Sequence, residues 1–230
     1  MKILALVASH RKLGNTEVMV REAVLAATAE GATWEMVRLT DCKILPCTGC
    51  MACVFKPEAH CHLDDDMEML LAKMREADAL ILGAPTYILA PAGIVKMFLD
   101  RSIQTFQHRQ DYQGKPALAI AVAGLPRWDP LAVPLLTGTV LAYGYRLADA
   151  MIAYSPGPGE TLLDPTNPAR ANLAGQRLWR ALKGEGIEPY QELNACPVCR
   201  SEFFSLTAEG VECPLCHAQG QLVQRDGRTM

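Results

Sequence analysis

The stretch KILALVASHRKLGNTEVMV, residues 2–20, joins an apolar run to a polar turn and then to a helical pattern. An apolar run that does not alternate is typical of a parallel strand buried on both faces of its sheet. The turn, SHRKLGNT at residues 9–16, is followed by apolar positions at helical spacing. We therefore expect a strand, a loop and a helix in this order, with Asn15 or Thr16 as the helix cap.

The same alternation of strands and helices continues to about residue 182. The pattern predicts further strands at residues 33–39, 79–85, 116–124 and 147–155. Helices are expected between them: one capped by Asp64, one opened by Pro91, one at 131–143 and a last one starting at Asn167. Right-handed crossovers then give an α/β fold, a doubly wound five-stranded parallel sheet of order 2-1-3-4-5. Its strand-to-helix loops emerge at one edge, where ligands bind.

The composition excludes several classes of protein. The 230 residues carry 22 basic and 25 acidic side chains, a balance that predicts no nucleic acid partner and no anionic membrane surface. The longest apolar runs, such as residues 117–123, fall far short of the roughly 20 residues of a membrane helix. We expect a cytoplasmic protein, in which clustered cysteines bind metal; disulfides in a secreted protein are the alternative.

The turn after the first strand has the side chains that a phosphate monoester needs. Ser9 and Thr16 supply hydroxyls, Arg11 a guanidinium, and Gly14 lets the backbone approach the start of a helix. A simple helix cap is the alternative. Two further loops end strands on the same edge, GAPTY at 83–87 and AGLPRW at 123–128, and the first offers a rigid turn and an aromatic ring that could lie against a planar ligand.

These three loops, together with the insertion PCTGCMACVFKPEAHC at residues 46–61, resemble the flavodoxin-like NADPH-dependent FMN reductase superfamily, and within it the iron–sulfur flavoprotein group. The resemblance covers residues 1–186, which it implies are a flavodoxin-like FMN domain with a Cys-rich cluster loop at 42–62. It also implies FMN, with the phosphate near the first loop and the ring near the second. The resulting cofactor-binding residues are Ser9, Arg11, Gly14, Asn15, Thr16, Pro85, Thr86, Tyr87, Ile88 and Gly124.

The first of two cysteine quartets lies in this insertion, at Cys47, Cys50, Cys53 and Cys61. Thiolates at two-residue steps in one loop suit a 4Fe-4S cluster, and the resemblance implies a cluster motif that this spacing matches at its longest form. Zinc or a metal-free loop are the alternatives. His60 and His62 could replace Cys61 but are more simply solvated, and Cys42, outside the spacing, is expected to be an inert thiol.

The second quartet lies near the end of the chain, as CPVC and CPLC, at Cys196, Cys199, Cys213 and Cys216. The pattern resembles a zinc ribbon: two knuckles on a hairpin that turns at 208–210, in a module at 195–230 after a linker at 187–194. Phe203, Phe204 and Leu206 are its main apolar side chains, so metal must supply the folding energy. Structural zinc is favoured, a rubredoxin-like iron site is the alternative, and His217 is expected to lie outside the site.

A flavin exchanges electrons in pairs or singly, whereas a 4Fe-4S cluster moves one at a time. We therefore expect an oxidoreductase that relays electrons from a ferredoxin-like donor, and the resemblance implies a homo-oligomer. An NAD(P)H-dependent FMN or quinone reductase is one alternative, and a redox-sensing scaffold that docks a partner through the zinc ribbon is another. No catalytic residue beyond the cofactors is predicted, and the pair Asp100 and Arg101 is interpreted as a charged helix face.

Overall fold

The computed structural model describes residues 1–29, 31–56, 60–187, 195–222, 224–225 and 228–229. The chain divides into two units, Met1–Ile187 and Glu188–Met230. The predicted linker at 187–194 lies, apart from Ile187, outside the described residues. Within the described residues, no helix combines the length and the apolar character that crossing a bilayer requires.

The first unit is built on a parallel sheet. Its strands are β1 (Lys2–Val7), β2 (Thr33–Arg38), β3 (Ala79–Tyr87), the short β4 (Ala90–Pro91), β5 (Pro116–Ala123) and β6 (Arg146–Tyr154). The order is β2-β1-β3-β5-β6, all parallel, and β4 pairs antiparallel with the end of β3. Apart from this added short strand, the predicted order 2-1-3-4-5 and the doubly wound α/β fold are confirmed.

Helices cover both faces of the sheet. They are α1 (Asn15–Thr28), α2 (Ala52–Phe55), α3 (Met67–Glu76), α4 (Gly93–Asp100), α5 (Ala132–Ala142) and α6 (Thr166–Leu182), with 3-10 segments at Leu39–Asp41, Arg101–Asp111 and Glu160–Leu162. The side chains of β1 alternate between two buried clusters: Leu4 packs in the one that includes α3, α4 and α5, and Ile3 in the one with α1 and α6. Burial on both faces explains why the strand sequences are continuously apolar.

Two glycines set the position of α1. A Cβ on Gly175 of α6 would lie 2.1 Å from the carbonyl oxygen of Ala23, so the two helices approach too closely for any side chain there. A Cβ on Gly83 of β3 would lie 2.4 Å from Val20 Cγ2 and 3.3 Å from Thr16 Cγ2. These contacts bring the start of α1 close to the end of β3 at the carboxyl edge of the sheet.

The predicted helix caps are wrong. The residue before α1 is Gly14, which has no side chain to form a cap, and the side chain of Asn15, the first residue of the helix, bonds to a distant loop. Asp66, rather than Asp64, precedes α3, and Asp65 Oδ1 accepts the hydrogen bond from Met67 N at 3.2 Å. Pro91 belongs to β4, and the helix it was expected to open begins at Gly93.

The second unit has short antiparallel strands, β7 (Ser205–Thr207), β8 (Gly210–Glu212), β9 (Gln219–Gly220), β10 (Gln224–Arg225) and β11 (Arg228–Thr229). The hairpin between β7 and β8 turns at the predicted place. Val211 and Ser201 are buried with three of the cysteines, whereas Phe203, Phe204 and Leu206 are 42%, 41% and 78% exposed. The core of this unit is therefore its cysteines rather than its aromatic side chains.

Candidate functional site

The loop between β1 and α1 is tightly folded. Ser9 is buried and its Oγ accepts a hydrogen bond from Arg11 N at 3.3 Å. Leu13 takes a left-handed conformation with φ of 53°, and a Cβ on Gly14 would lie 3.1 Å from the Arg11 carbonyl oxygen and 2.8 Å from its Cβ. The chain therefore needs glycine at this point to turn into the helix, whose N-terminus favours an anion.

The buried carboxylate of Glu17 accepts a hydrogen bond from this loop and stabilises it. Glu17 is fully buried, accepts a hydrogen bond from Leu13 N at 2.9 Å, and pairs with Arg38 and with Arg21, whose Nε donates at 3.0 Å. Burial acts to raise the pKa of Glu17, but the Leu13 N–H and the two guanidiniums hold that pKa below its ordinary value. Glu17 is thus ionised and fixes the left-handed residue of the loop.

Asn15 ties the start of α1 to the loop that follows β6. Its Nδ2 donates to Ser155 Oγ at 2.7 Å and to the Gly157 carbonyl at 2.8 Å, and its Oδ1 accepts from Gly159 N at 2.8 Å. Both amide hydrogens are therefore used within the protein. In this arrangement the Asn15 side chain shapes the site by holding two loops together.

A cavity of about 210 Å³ opens where these loops meet the ends of β3 and β5. The predicted residues that line it are Ser9, Arg11, Gly14, Asn15, Thr16, Pro85, Thr86, Tyr87 and Gly124. Ile88 is not among the lining residues and is 77% exposed, with a left-handed φ of 44°. Sequence reasoning missed Val122, Ala123, Ser155 and Pro156; the SPGPG stretch at 155–159, which follows β6, was the available signal for the last two.

The lining residues fit FMN. Thr86 Oγ1 is buried and has no hydrogen-bond partner among the described residues, an arrangement that costs about 1–3 kcal/mol unless a ligand satisfies it. The exposed Arg11 side chain and the N-terminus of α1, which also line the cavity, suit a phosphate dianion. The half-exposed ring of Tyr87 offers a flat surface for an isoalloxazine.

The Cys-rich loop begins at the same edge of the sheet. It follows β2 and the 3-10 segment Leu39–Asp41, in which Thr40 Oγ1 donates to the Ser9 carbonyl oxygen at 3.1 Å. Cys47 and Cys50 are exposed, whereas Cys53, in α2, and Cys61 are partly buried. The quartet therefore lies on a surface loop that is hydrogen-bonded, near its start, to the phosphate-type turn.

The first quartet is open rather than compact. Among the described residues, the compact groups of three or more possible metal ligands include none from this quartet, and Cys50 Sγ lies 3.7 Å from Nδ1 of the exposed His62. A cavity of about 360 Å³ is lined by Cys53, Cys61 and the exposed His60. A 4Fe-4S cluster takes one thiolate on each of four iron atoms, so an open quartet beside a cavity fits such a group.

A buried ion pair organises this loop. The side chains of Arg101 and Asp65 are each 1% exposed, and Arg101 also donates to the Leu45 carbonyl at 2.8 Å and to Cys61 Sγ at 3.5 Å. Burial acts to raise the pKa of Asp65, but Arg101 and the N–H groups of Leu45 and Met67 lower it. The interpretation of Arg101 as part of a charged helix face is wrong, because its side chain turns inward; Asp100 pairs with Lys96 at the surface.

The second quartet is compact. Its four sulfurs all lie within 4.8 Å of one another, with Cys196 Sγ and Cys216 Sγ 3.5 Å apart and Cys199 Sγ and Cys213 Sγ 3.3 Å apart. Four sulfurs bound tetrahedrally to one zinc at about 2.3 Å stand about 3.8 Å from each other. Burial acts to raise the pKa of Cys213, but the N–H groups of Cys216 and Leu215 lower it. The site has the dimensions of a single tetrahedral ion.

The two knuckles of this quartet have matching backbones. Arg200 N donates to the Cys196 carbonyl and His217 N to the Cys213 carbonyl, each at 2.9 Å. The residue after the second cysteine of each knuckle is left-handed, with φ of 62° at Arg200 and 60° at His217. The exposed His217 ring lies 2.7 Å from Glu212 Oε1, outside the sulfur group, as predicted.

Comparison with known proteins agrees with this geometry. The family model described as NADPH-dependent FMN reductase matches residues 1–127. An iron–sulfur flavoprotein of Methanocaldococcus jannaschii is 42% identical over 102 residues, 44% of this chain and about half (52%) of that relative. An iron–sulfur flavoprotein of Archaeoglobus fulgidus is 30% identical over 194 residues, 84% of this chain and 86% of the relative.

The fold has solved counterparts. The structure of a flavone reductase covers 100% of this chain and 80% of its own, with a TM-score of 0.73 and 22% sequence identity. At that identity the likeness concerns the fold. The family match over more than half of the sequence and the relative that is 30% identical identify the chain as a flavin-dependent oxidoreductase, and the FMN-type cavity agrees with them. The chain belongs to the NADPH-dependent FMN reductase family, among the iron–sulfur flavoproteins.

Proposed function

We propose that the protein relays single electrons between a ferredoxin-like donor, a 4Fe-4S cluster on the first quartet, FMN and an acceptor such as oxygen, peroxide or another redox protein. The observation that carries this proposal is the shared edge: the segment leading to the Cys-rich loop is hydrogen-bonded to the phosphate-type turn, Thr40 to Ser9 at 3.1 Å. When bound, FMN exchanges electrons in pairs or singly and the cluster exchanges them singly. The cytoplasm, where thiols stay reduced, suits this chemistry.

The chain's own residues hold and orient the flavin. Arg11 and the N-terminus of α1 bind the phosphate, and Glu17 keeps the turn in shape through Leu13 N. Thr86, whose hydroxyl has no partner in the part of the chain that the structure describes, and Tyr87 position the ring at the end of β3. Asn15 holds the loop after β6 against the cavity through its hydrogen bond to the Gly157 carbonyl.

The surface around the cysteines supports a protein donor. Cys47 and Cys50 are exposed, and Phe55, two residues after Cys53, is 75% exposed. An exposed aromatic side chain beside a redox centre is a feature that a docking protein can use. An NAD(P)H donor would instead have to stack on the flavin ring, and we expect the Cys-rich insertion, which follows a strand at the same edge, to crowd that approach.

Large apolar side chains around the flavin cavity support a homo-oligomer. Ile88, Leu125 and Trp128 are 77%, 62% and 57% exposed and belong to the loops after β3 and β5. Exposed apolar patches of this kind are typical of interaction sites. We propose that a second copy of the chain covers this edge and shields the flavin ring.

The second quartet is proposed to hold structural zinc. The support is the separation of 3.3–3.5 Å within two pairs of sulfurs, close to the tetrahedral value of about 3.8 Å, and the few other buried apolar side chains among the unit's described residues. An iron site with the same four ligands is the alternative, which metal analysis distinguishes.

Two other functions have specific support. The match to the NADPH-dependent FMN reductase family favours an NAD(P)H-dependent FMN or quinone reductase in which the cluster is auxiliary or absent. The exposed Phe203, Phe204 and Leu206 of the second unit favour a redox-sensing scaffold that docks a partner there. Steady NADPH oxidation would support the reductase, and redox-dependent binding without turnover would support the scaffold.

Stopped-flow bleaching of the flavin under anaerobic conditions tests the relay. Reduced ferredoxin should bleach the flavin at least tenfold faster than NADPH does, and Cys50→Ser should lose most of that advantage. Cys42→Ser is the matched control, because Cys42 lies outside the quartet and bonds to the Arg38 carbonyl at 3.4 Å. Rapid reduction by NADPH that Cys50→Ser leaves unchanged would instead establish the reductase.

A further inference from the structure

We propose that Arg101 is a positioning residue for the iron–sulfur centre: its guanidinium joins the two ends of the Cys-rich loop and raises the reduction potential of the cluster through a hydrogen bond to Cys61 Sγ. This inference rests on the proposed function, because it assumes that the first quartet holds the cluster. It goes beyond that function by naming a residue outside the quartet that sets the cluster's affinity for its electron.

The contacts of Arg101 span the loop from one end to the other. Its Nη1 donates to the Leu45 carbonyl, two residues before Cys47, at 2.8 Å. Its Nη2 donates to Cys61 Sγ at 3.5 Å and to Asp65 Oδ1 at 3.1 Å. Asp65 Oδ2 in turn accepts from Leu45 N at 2.8 Å. One buried side chain therefore fixes the backbone before the first cysteine and the sulfur of the last.

The stability of the fold gives no sufficient reason for this arrangement. A buried ion pair is close to neutral for stability, because desolvation of both charges offsets their attraction. Arg101 Nε is also buried without a hydrogen-bond partner among the described residues, which adds about 1–3 kcal/mol of cost. The Arg101 guanidinium is costly to bury, yet its terminal nitrogens reach Cys61 Sγ and both ends of the loop. A role in positioning Cys61 explains this arrangement.

The sign of the electrostatic effect follows from the charge of the centre. One-electron reduction by the donor adds a negative charge to the cluster and breaks no bond. A hydrogen-bond donor on a ligand sulfur stabilises the more negative state and raises the potential. Asp65 neutralises the charge of Arg101 at longer range, so the N–H group at Cys61 is the contact that the cluster experiences most directly.

Arginine suits this position better than lysine does. The planar guanidinium presents five donors in a fixed fork, and here its two terminal nitrogens serve Leu45, Cys61 and Asp65 together. A lysine ammonium can keep the charge next to Asp65 but cannot reach all three acceptors at once. Arg101→Lys therefore distinguishes the effect of the positive charge from the effect of the three hydrogen bonds.

The experiment compares the wild-type protein with Arg101→Gln and Arg101→Lys, with Arg109→Gln as control on an exposed site of the same 3-10 segment. We expect Arg101→Gln to make one-electron reduction of the cluster about tenfold less favourable, which is a potential about 59 mV lower in an EPR-monitored redox titration. Both Arg101 variants should release iron to a chelator about tenfold faster. Arg109→Gln should match the wild type in potential and in iron release.

Flavin and zinc contents report whether each variant is folded. If Arg101→Gln alone does not fold, the pair Arg101→Gln with Asp65→Asn removes both buried charges, and it should show the same loss of potential. Variants that bind FMN and keep the wild-type potential and iron release would overturn the inference and leave the relay intact. A wild-type protein that carries no cluster when purified anaerobically would overturn the proposed function, and this inference with it.

Discussion

The two cysteine quartets share a two-residue step but differ in what surrounds them. In the second quartet three thiols are buried and the four sulfurs lie within 4.8 Å of one another. In the first, two thiols are exposed, and the loop is held by Arg101 and Asp65, outside the quartet. The second quartet forms the centre of its unit, whereas the first is attached to a large apolar core.

The difference indicates that four cysteines can stabilise a small unit, as in the second quartet, or can hold a redox group on an already stable domain, as proposed for the first. Among its described residues the second unit buries little besides its cysteines, so a metal bound there would be its main source of stability. The loop of the first quartet is stabilised by the sheet and helices of the flavin domain, which leaves its sulfurs free to stay near the surface. We therefore expect loss of the metal to unfold the second unit and to have little effect on the folding of the first.

The largest effect is expected for Cys213→Ser, which removes a buried ligand from the compact quartet. Structural zinc contributes on the order of 10–16 kcal/mol to small metal modules, so the unit at 195–230 should lose zinc and unfold. Proteolysis with mass spectrometry should find cleavage confined to that unit, with FMN and iron retained in residues 1–187. Loss of all three cofactors together would show that the two regions do not fold separately.

Cys50→Ser should have a large effect on metal content and a small one on folding. The variant should fall from about four iron and four sulfide per chain to nearly none. FMN and the single zinc should stay bound, because Cys50 is exposed and lies on a loop of a core that has its own apolar interior. Metal and sulfide analysis with a flavin spectrum checks this. Unfolding of the flavin domain would contradict the contrast between the quartets.

Glu17→Gln measures how much a second buried ion pair, Glu17 with Arg38, contributes to the stability of the flavin domain. Removing the charge leaves Arg38 without its partner, and we expect a loss of about 3 kcal/mol in stability. The lowered pKa of Glu17 fixes the sign of the pH effect: its stabilisation is complete above its ordinary value of 4.5 and is lost as the pH falls through the lowered pKa. Denaturant unfolding across pH should show a smaller loss on acidification for the variant than for the wild type.

Arg11→Ala should weaken FMN binding by about 1.5–3 kcal/mol, the value of a charge-assisted hydrogen bond to phosphate. Because the Arg11 side chain is exposed, neither quartet should lose metal. Titration with FMN and with riboflavin checks the assignment. Riboflavin should bind equally well to the variant and to the wild type, and riboflavin that binds the wild type as tightly as FMN would refute a phosphate site at this turn.

The smallest effect is expected for Cys42→Ser. Burial raises the pKa of the Cys42 thiol, with further contributions from Asp66 and Asp41, so the group stays protonated and is a poor metal ligand. Serine can keep the hydrogen bond to the Arg38 carbonyl, and stability should change by no more than about 0.5 kcal/mol. Iron, zinc and FMN contents should match the wild type; a loss of iron would make Cys42 a member of the first site.

The order of strands and helices and the positions of the main loops were predictable from the sequence. The buried strands are continuous apolar runs, and the main helices have apolar residues at helical spacing. Right-handed crossovers then leave few ways to connect these elements. The phosphate-type turn was predictable for the same reason, because its residues are adjacent in the chain. The second quartet was equally visible, since each of its knuckles is a local turn.

Only the tertiary structure decided which distant residues meet. Arg101 looked like a surface charge, yet folding buries it against Asp65 and places it at Cys61, 40 residues away. Asn15 looked like a helix cap, yet its side chain bonds to Gly157, 142 residues away. Local patterns determine elements because neighbouring residues share one backbone geometry, whereas burial and long-range hydrogen bonds depend on how those elements pack, which no single stretch of sequence contains.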